Sequence, residues 1–151
     1  ILHHVLGAEP RPVRFVMMVQ KEVAERIASP PGGMSYVSVF VQYHAAVEVA
    51  FDVPAAAFEP APEVDSAILV GVTRERRLDA DDEDELWRLV QAAFRERRKM
   101  IHNVLVRQLP GLDRPRVDAA LAATGIAPDR RPQTLSVTEW LALRAALAPL
   151  P

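Results

Sequence analysis

The chain opens on apolar positions 1, 2, 5 and 6 and stops at Gly7 ahead of Pro10 and Pro12, which predicts the last turns of a helix. Arg14-Phe15-Val16-Met17-Met18-Val19 is then a short, continuous apolar run. Such a run predicts a strand buried on both faces, as in a parallel sheet. Gln20-Lys21-Glu22-Val23-Ala24-Glu25-Arg26-Ile27 places apolar residues at 23, 24 and 27, a helical spacing closed by the breakers Pro30-Pro31-Gly32-Gly33. Residues 35–43 read two ways: their β-branched content favours a strand, while Val37, Phe40, Val41 and His44 share one side of a helix. Residues 47–53 predict a strand ending at Pro54, and residues 66–73 another. Between them, Pro60 and Pro62 forbid both helix and ladder, so residues 57–63 form a loop. Strand–helix–strand order points to an α/β fold whose last two strands pair antiparallel.

Beyond residue 74 the pattern turns wholly helical. Residues 86–108 read as one long helix, residues 114–124 as a short one ended by Gly125, and residues 137–147 as the last. Ser136 is placed to cap that last helix, with Glu139 three residues later completing a capping box. Asp79, Asp81, Asp82, Glu83, Asp84 and Glu85 read as an acidic linker facing the positive end of the helix that follows. The division is thus an α/β piece over residues 1–74, a linker over 75–85, and a helical domain over 86–151.

Composition narrows the functional classes. Lys and Arg number 18 against 20 Asp and Glu, so the 151-residue chain is weakly acidic, and any nucleic-acid contact must rest on local charge. The absence of cysteine excludes disulfides and thiolate–metal sites. No apolar run reaches the roughly 20 residues that span a bilayer, and a soluble, cytoplasmic protein is expected. The 13 prolines punctuate the chain heavily. Apolar residues at the very start suggest an entry point in the middle of a longer protein, since chain termini are usually polar and frayed.

Two places could carry chemistry. On a continuous helix, Leu86, Val90, Phe94, Ile101, Val104 and Leu105 fall on one apolar stripe, and Arg88, Arg95, Arg98, Lys99 and His102 on the opposite side. Arg95-Glu96-Arg97-Arg98-Lys99 holds four cations in five residues. It is either a solvated face or a ridge that tracks a phosphate backbone without reading sequence. On the same wheel Arg97 projects toward the apolar stripe, so it is expected to be partly buried and paired with a carboxylate, or to line a pocket. Phe58, held between a strand end and Pro60, is either a core plug or a platform on which a nucleobase stacks. Asp65-Ser66 after the loop reads as a turn cap. His3-His4 lacks a partner at metal spacing, residues 81–85 lack the glycine of a calcium loop, and no nucleophile triad or self-sufficient active site is present.

Four segments together resemble one family: Gln20-Lys21-Glu22-Val23-Ala24-Glu25-Arg26; Tyr36-Val37-Ser38-Val39 with Gln42-Tyr43; Phe58-Glu59-Pro60-Ala61-Pro62-Glu63-Val64-Asp65-Ser66; and Phe94-Arg95-Glu96-Arg97-Arg98-Lys99. The sequence is similar, over nearly all its length and in the right order, to the bacterial small-subunit rRNA adenine dimethyltransferases, relatives of the erythromycin-resistance rRNA methylases. The resemblance implies the C-terminal part of a class I, Rossmann-like methyltransferase sheet followed by a small all-helical domain. It implies S-adenosylmethionine as methyl donor and dimethylation of two adjacent adenines of 16S rRNA during small-subunit biogenesis. Phe58 matches the aromatic that packs on the flipped adenine, and Arg95, Arg97, Arg98 and Lys99 match a basic helix implicated in RNA contact. Arg88 and His102 join them on the wheel.

The family's glycine-rich cofactor motif, its ribose-binding acid and its Asn-(Leu/Ile)-Pro-(Tyr/Phe) motif have no counterpart here and belong upstream of Ile1. The chain on its own is therefore expected to be inactive, with no catalytic, cofactor or metal residues. Glu63 stands where relatives often carry lysine, which weakens local attraction for phosphate. The run from Arg14 to Val19 would leave an apolar free edge, through which the chain is expected to self-associate. Two other readings use the same residues: a non-catalytic ribosome-binding module, and methylation of the large-subunit adenine targeted by the resistance methylases. A helix-turn-helix over residues 114–124 and 137–147 ranks last, because its connection is long and carries Pro128 and Pro132.

Overall fold

A computed structural model describes all 151 residues, which divide into two compact units: Ile1–Ser29 with Val37–Arg76, and Pro30–Tyr36 with Arg77–Pro151. The first unit contains α1 (Leu2–Gly7), β1 (Arg14–Gln20), α2 (Lys21–Ile27), most of α3 (Tyr36–His44), β2 (Ala45–Val53) and β3 (Ser66–Thr73). The second contains α4 (Ala80–Phe94), α5 (Ile101–Gln108), α6 (Arg114–Ala123) and α7 (Val137–Leu147).

The three strands form one sheet in the order β1-β3-β2, with both pairings antiparallel. β1 is therefore an edge strand, not an interior parallel one, and it is not buried on both faces. Phe15 is buried while Val16 and Met18 are 67% and 52% exposed, an alternation that a run of uniformly apolar residues conceals. Register explains which face is covered. Phe15 lies opposite Gly71, and Met17 opposite Leu69, which itself faces Val49. A Cβ on Gly71 would lie 2.1 Å from the tip of the Phe15 ring, so glycine is what lets that ring cross β3. The other face carries Val16, Met18, Phe51 and Val72, all substantially exposed.

α2 packs on this sheet through buried Ala24 and Ile27. The ambiguous segment is helix α3, and long-range bonds decide it. Ser38 Oγ donates to Arg26 O (2.5 Å), and Gln42 Nε2 donates to Ile27 O (2.8 Å) and Ser29 O (2.9 Å). These side chains satisfy carbonyls at the end of α2, which its own helix cannot do.

In the second unit α4 packs on α5, α5 on α6, α6 on α7 and α7 on α4, around fully buried Trp140, Leu86, Leu89, Ile101, Leu105, Leu121, Leu135 and Leu143. Asp79 caps α4 by accepting from Asp82 N (2.9 Å), so residues 81–85 belong to its opening turns and not to the expected linker. The capping box of Ser136 and Glu139 forms at the head of α7, and Gly125, at φ +68°, ends α6. The expected single helix over residues 86–108 is instead two helices. It breaks after Phe94 because the chain tightens into a turn, with Lys99 N donating to Glu96 O (2.8 Å), and because Ile101 N takes a distant partner, Arg130 O (2.7 Å).

Candidate nucleic-acid interface

The break between α4 and α5 rebuilds the basic segment. Residues 95–99 form an exposed turn, not a helix face, so the wheel that separated Arg97 from its neighbours does not apply. Arg97 is exposed and makes no ion pair, so of the two expectations for it, burial beside a carboxylate fails and the lining of a pocket remains. It lines, with Phe94, Arg95, Glu96, Arg98 and Lys99, a shallow hollow of about 420 Å³. Arg98 and Lys99 are likewise exposed and unpaired, and Arg95 reaches only Gln108 Oε1, at 3.4 Å.

The carboxylate within the run points elsewhere. Glu96 accepts from Arg107 Nη1 (2.7 Å) and Gln108 Nε2 (2.7 Å), and so folds back onto α5. Its charge is consumed by Arg107 while its bonds fix the turn's shape. The result is a cluster of guanidinium and ammonium groups held by a backbone turn, suited to phosphate oxygens. Arg88, exposed on α4, donates to Pro151 O. His102 differs from the turn cations. It is part-buried, 3.2 Å from Arg114 Nη1 and 3.6 Å from Asp118 Oδ1, and it joins α5 to α6.

The aromatic candidate lies in the first unit. β2 ends at Val53, Ala55–Ala57 forms a single 3-10 turn, and Phe58 follows in extended backbone, half-buried. The loop then runs through Pro60 and Pro62 to β3. Three groups that sequence reading passed over or treated as a simple cap meet at its base. Asp65 Oδ1 accepts from Ala55 N (2.9 Å), Asp65 O accepts from Lys21 N (3.0 Å), and Lys21 Nζ donates to Asp52 Oδ2 (2.5 Å). The hydrogen bond that Lys21 donates to Asp52, and the charge of that carboxylate, hold the Lys21 ammonium above the ordinary lysine range. Asp65 was legible only as an Asx-type residue before a strand; Lys21 and Asp52 are 31 positions apart and leave no local signal.

No cluster of His, Cys, Asp or Glu is arranged to hold a metal ion, and no helix is long and apolar enough to cross a membrane.

The fold is shared with RNA-modifying methyltransferases. The chain superposes on a dimethyladenosine transferase from Plasmodium falciparum with a TM-score of 0.76 over 92% of this chain and 59% of that one, at 23% identity, a likeness of fold alone. It superposes on the 23S rRNA methyltransferase ErmE with a TM-score of 0.72 over 95% and 57% of the two chains, at 28% identity. The three strands and following helices are those of the C-terminal part of such an α/β methyltransferase.

The family model for ribosomal RNA adenine dimethylase matches residues 1–148, and the chain belongs to that family. Among curated relatives, a ribosomal RNA small subunit methyltransferase A from Geobacillus kaustophilus (strain HTA426) is 41% identical across 96% of this chain and 52% of its own length. The protein of the same name from Lactococcus lactis subsp. lactis (strain IL1403) is 40% identical across 99% of this chain and 52% of its own. The chain thus spans about half the length of the curated relatives it matches.

Proposed function

We propose that this chain supplies the RNA-contacting part of an enzyme that dimethylates two adjacent adenines of 16S rRNA at the exocyclic amino group, in the cytoplasm, during small-subunit assembly. The observation that carries the reading is the exposed, unpaired cationic turn at residues 95–99 in a chain of this family. Chemistry on an adenine amine requires the base to leave its stack. Phe58 offers a ring on which the extracted base stacks, and Arg95, Arg97, Arg98 and Lys99 neutralise phosphates of the RNA backbone. These roles need no proton transfer, and Phe58 and the turn cations perform them by position and charge.

The methyl donor of this reading is S-adenosylmethionine. The hollow at the end of β1, about 320 Å³, is lined by Gln20, Lys21, Glu22, Glu25, Val64 and Asp65. Three carboxylates with a single apolar side chain offer no slot for an adenine ring.

The likeness to ErmE favours a second reading, in which the target is a large-subunit adenine. Relatives at 40–41% identity, named for the small subunit, favour the first. The test is binding of the purified chain to small subunits lacking the dimethyladenosines, with large subunits as competitor. Preference for the unmodified small subunit supports the proposal; equal or better competition by large subunits overturns the choice of target. The bare edge of β1 further supports self-association of the chain.

A further inference from the structure

The loop of residues 54–65 is long, proline-bearing and mostly exposed, yet the functional reading asks it to present one ring in one place. A stacking platform works only if its position is fixed before the base arrives, because ordering it on binding costs affinity. The structure contains a device that does this.

Hydrogen bonds run in series from the far end of the loop to the ring's own backbone. Asp65, next to the first residue of β3, accepts from Ala55 N at 2.9 Å. Ala55 O in turn accepts from Phe58 N at 3.2 Å, and Pro54 O from Ala57 N at 2.9 Å. The position of the Phe58 peptide is thereby referred to Asp65, seven residues on in sequence.

Lys21 anchors both stems to α2. Its amide donates to Asp65 O (3.0 Å) on the β3 side, and its ammonium to Asp52 (2.5 Å) on the β2 side. The pairing of Val53 with Ser66 closes the same base from the sheet. An exposed ion pair such as Lys21–Asp52 contributes little alone. The Asp65–Ala55 bond is different, since a carboxylate accepting from a backbone N–H is among the stronger hydrogen bonds and spans the loop's two ends.

We infer that Asp65 is a positioning residue for Phe58: its carboxylate clamps the loop to the 3-10 turn at Ala55, with Lys21 bracing the stems. The inference rests on the stacking role proposed for Phe58. Its test separates the clamp from that role. In the unaltered chain, hydrogen exchange of the Ala55 amide is slower than that of Glu63 and Val64 by about tenfold or more, as one charge-assisted bond gives; equal rates overturn the clamp.

Asp65→Ala speeds exchange at Ala55 and Phe58, while Asp65→Asn, which keeps an acceptor oxygen, holds both near the original rates. The stacking readout is quenching of a short RNA oligonucleotide with 2-aminopurine in place of one adenine. Asp65→Ala lowers the quench at saturation, and Asp65→Asn restores it. Undiminished quench in Asp65→Ala overturns the positioning role. Undiminished quench in Phe58→Ala defeats the stacking reading instead, and the exchange rates still decide the clamp.

Discussion

The two units bury their apolar residues to different degrees. The helical unit closes on itself: each of its four helices packs against two others, Trp140 and seven leucines and isoleucines have almost no exposed surface, and Met100 is its one large apolar residue left open. The sheet unit covers one face only. Val16, Met18, Phe51 and Val72 look outward from the other, and β1 ends the sheet with an unpaired edge. The contrast shows where each unit's order comes from. Helices satisfy their backbone internally and need only partners for a stripe, whereas a three-stranded sheet needs both faces and both edges attended to.

The contrast is most sharply broken by removing the helical unit's centre. Trp140→Ala should cost roughly 3–5 kcal/mol through lost burial and the cavity left behind. Both tryptophans of the chain, Trp87 and Trp140, lie in this unit, so the fluorescence of Trp87 during urea unfolding follows it selectively. A midpoint unchanged from the parent protein would mean that the core is not organised around Trp140.

In the sheet unit the corresponding weak point is electrostatic. His44 is 5% exposed between the rings of Phe40 and Tyr43, and burial, reinforced by Arg11 and Arg76, lowers its pKa to about 4. The folded value lies below the unfolded one, so the fold favours the neutral imidazole. That contribution is complete above about pH 6.5 and is lost as the pH falls toward 4, by about 3 kcal/mol in all. Stability measured by hydrogen exchange in this unit should fall over that window, and His44→Gln should flatten the profile. An equal slope in the variant would assign the effect to other groups.

A smaller effect tests the covered face. Gly71→Ala pushes a methyl into the Phe15 ring and should destabilise the sheet unit by about 1–3 kcal/mol. Faster exchange at β1 and β3 amides would register it. The uncovered face should respond in the opposite way: Met18→Lys should leave stability within about 0.5 kcal/mol of the parent while shifting sedimentation toward monomer. Loss of stability on that substitution would mean Met18 is packed, which would erase the contrast.

What could be read from the sequence follows from the range of the interactions involved. The capping box of Ser136 and Glu139 and the end of α6 at Gly125 depend on neighbours in sequence, and each was legible; the strand from Ser66 to Thr73 pairs with distant β1 and β2 but was legible in its own apolar run. The break after Phe94 was not. Arg95-Glu96-Arg97-Arg98-Lys99 contains no breaker, and the chain turns because Ile101 N finds Arg130 O and Glu96 finds Arg107 and Gln108. α3 was ambiguous for the same reason, since Ser38 and Gln42 reach back to α2. At the candidate site, the residue types were legible in Phe58 and the cations. The roles of Glu96 and Asp65 as internal fasteners appear only in three dimensions.

The proposed function makes the turn at residues 95–99 a phosphate-binding surface and not merely a solvated charge run. Its most direct test is the salt dependence of binding to a fragment of 16S rRNA from the unmodified small subunit. With Arg98→Ala and Lys99→Ala together, the slope of log affinity against log salt should shrink by about 1–2, as expected for the loss of two phosphate contacts. Affinity should drop, while removal of a like charge at Arg26 leaves the slope unchanged. An unaltered slope in the double variant would contradict the claim.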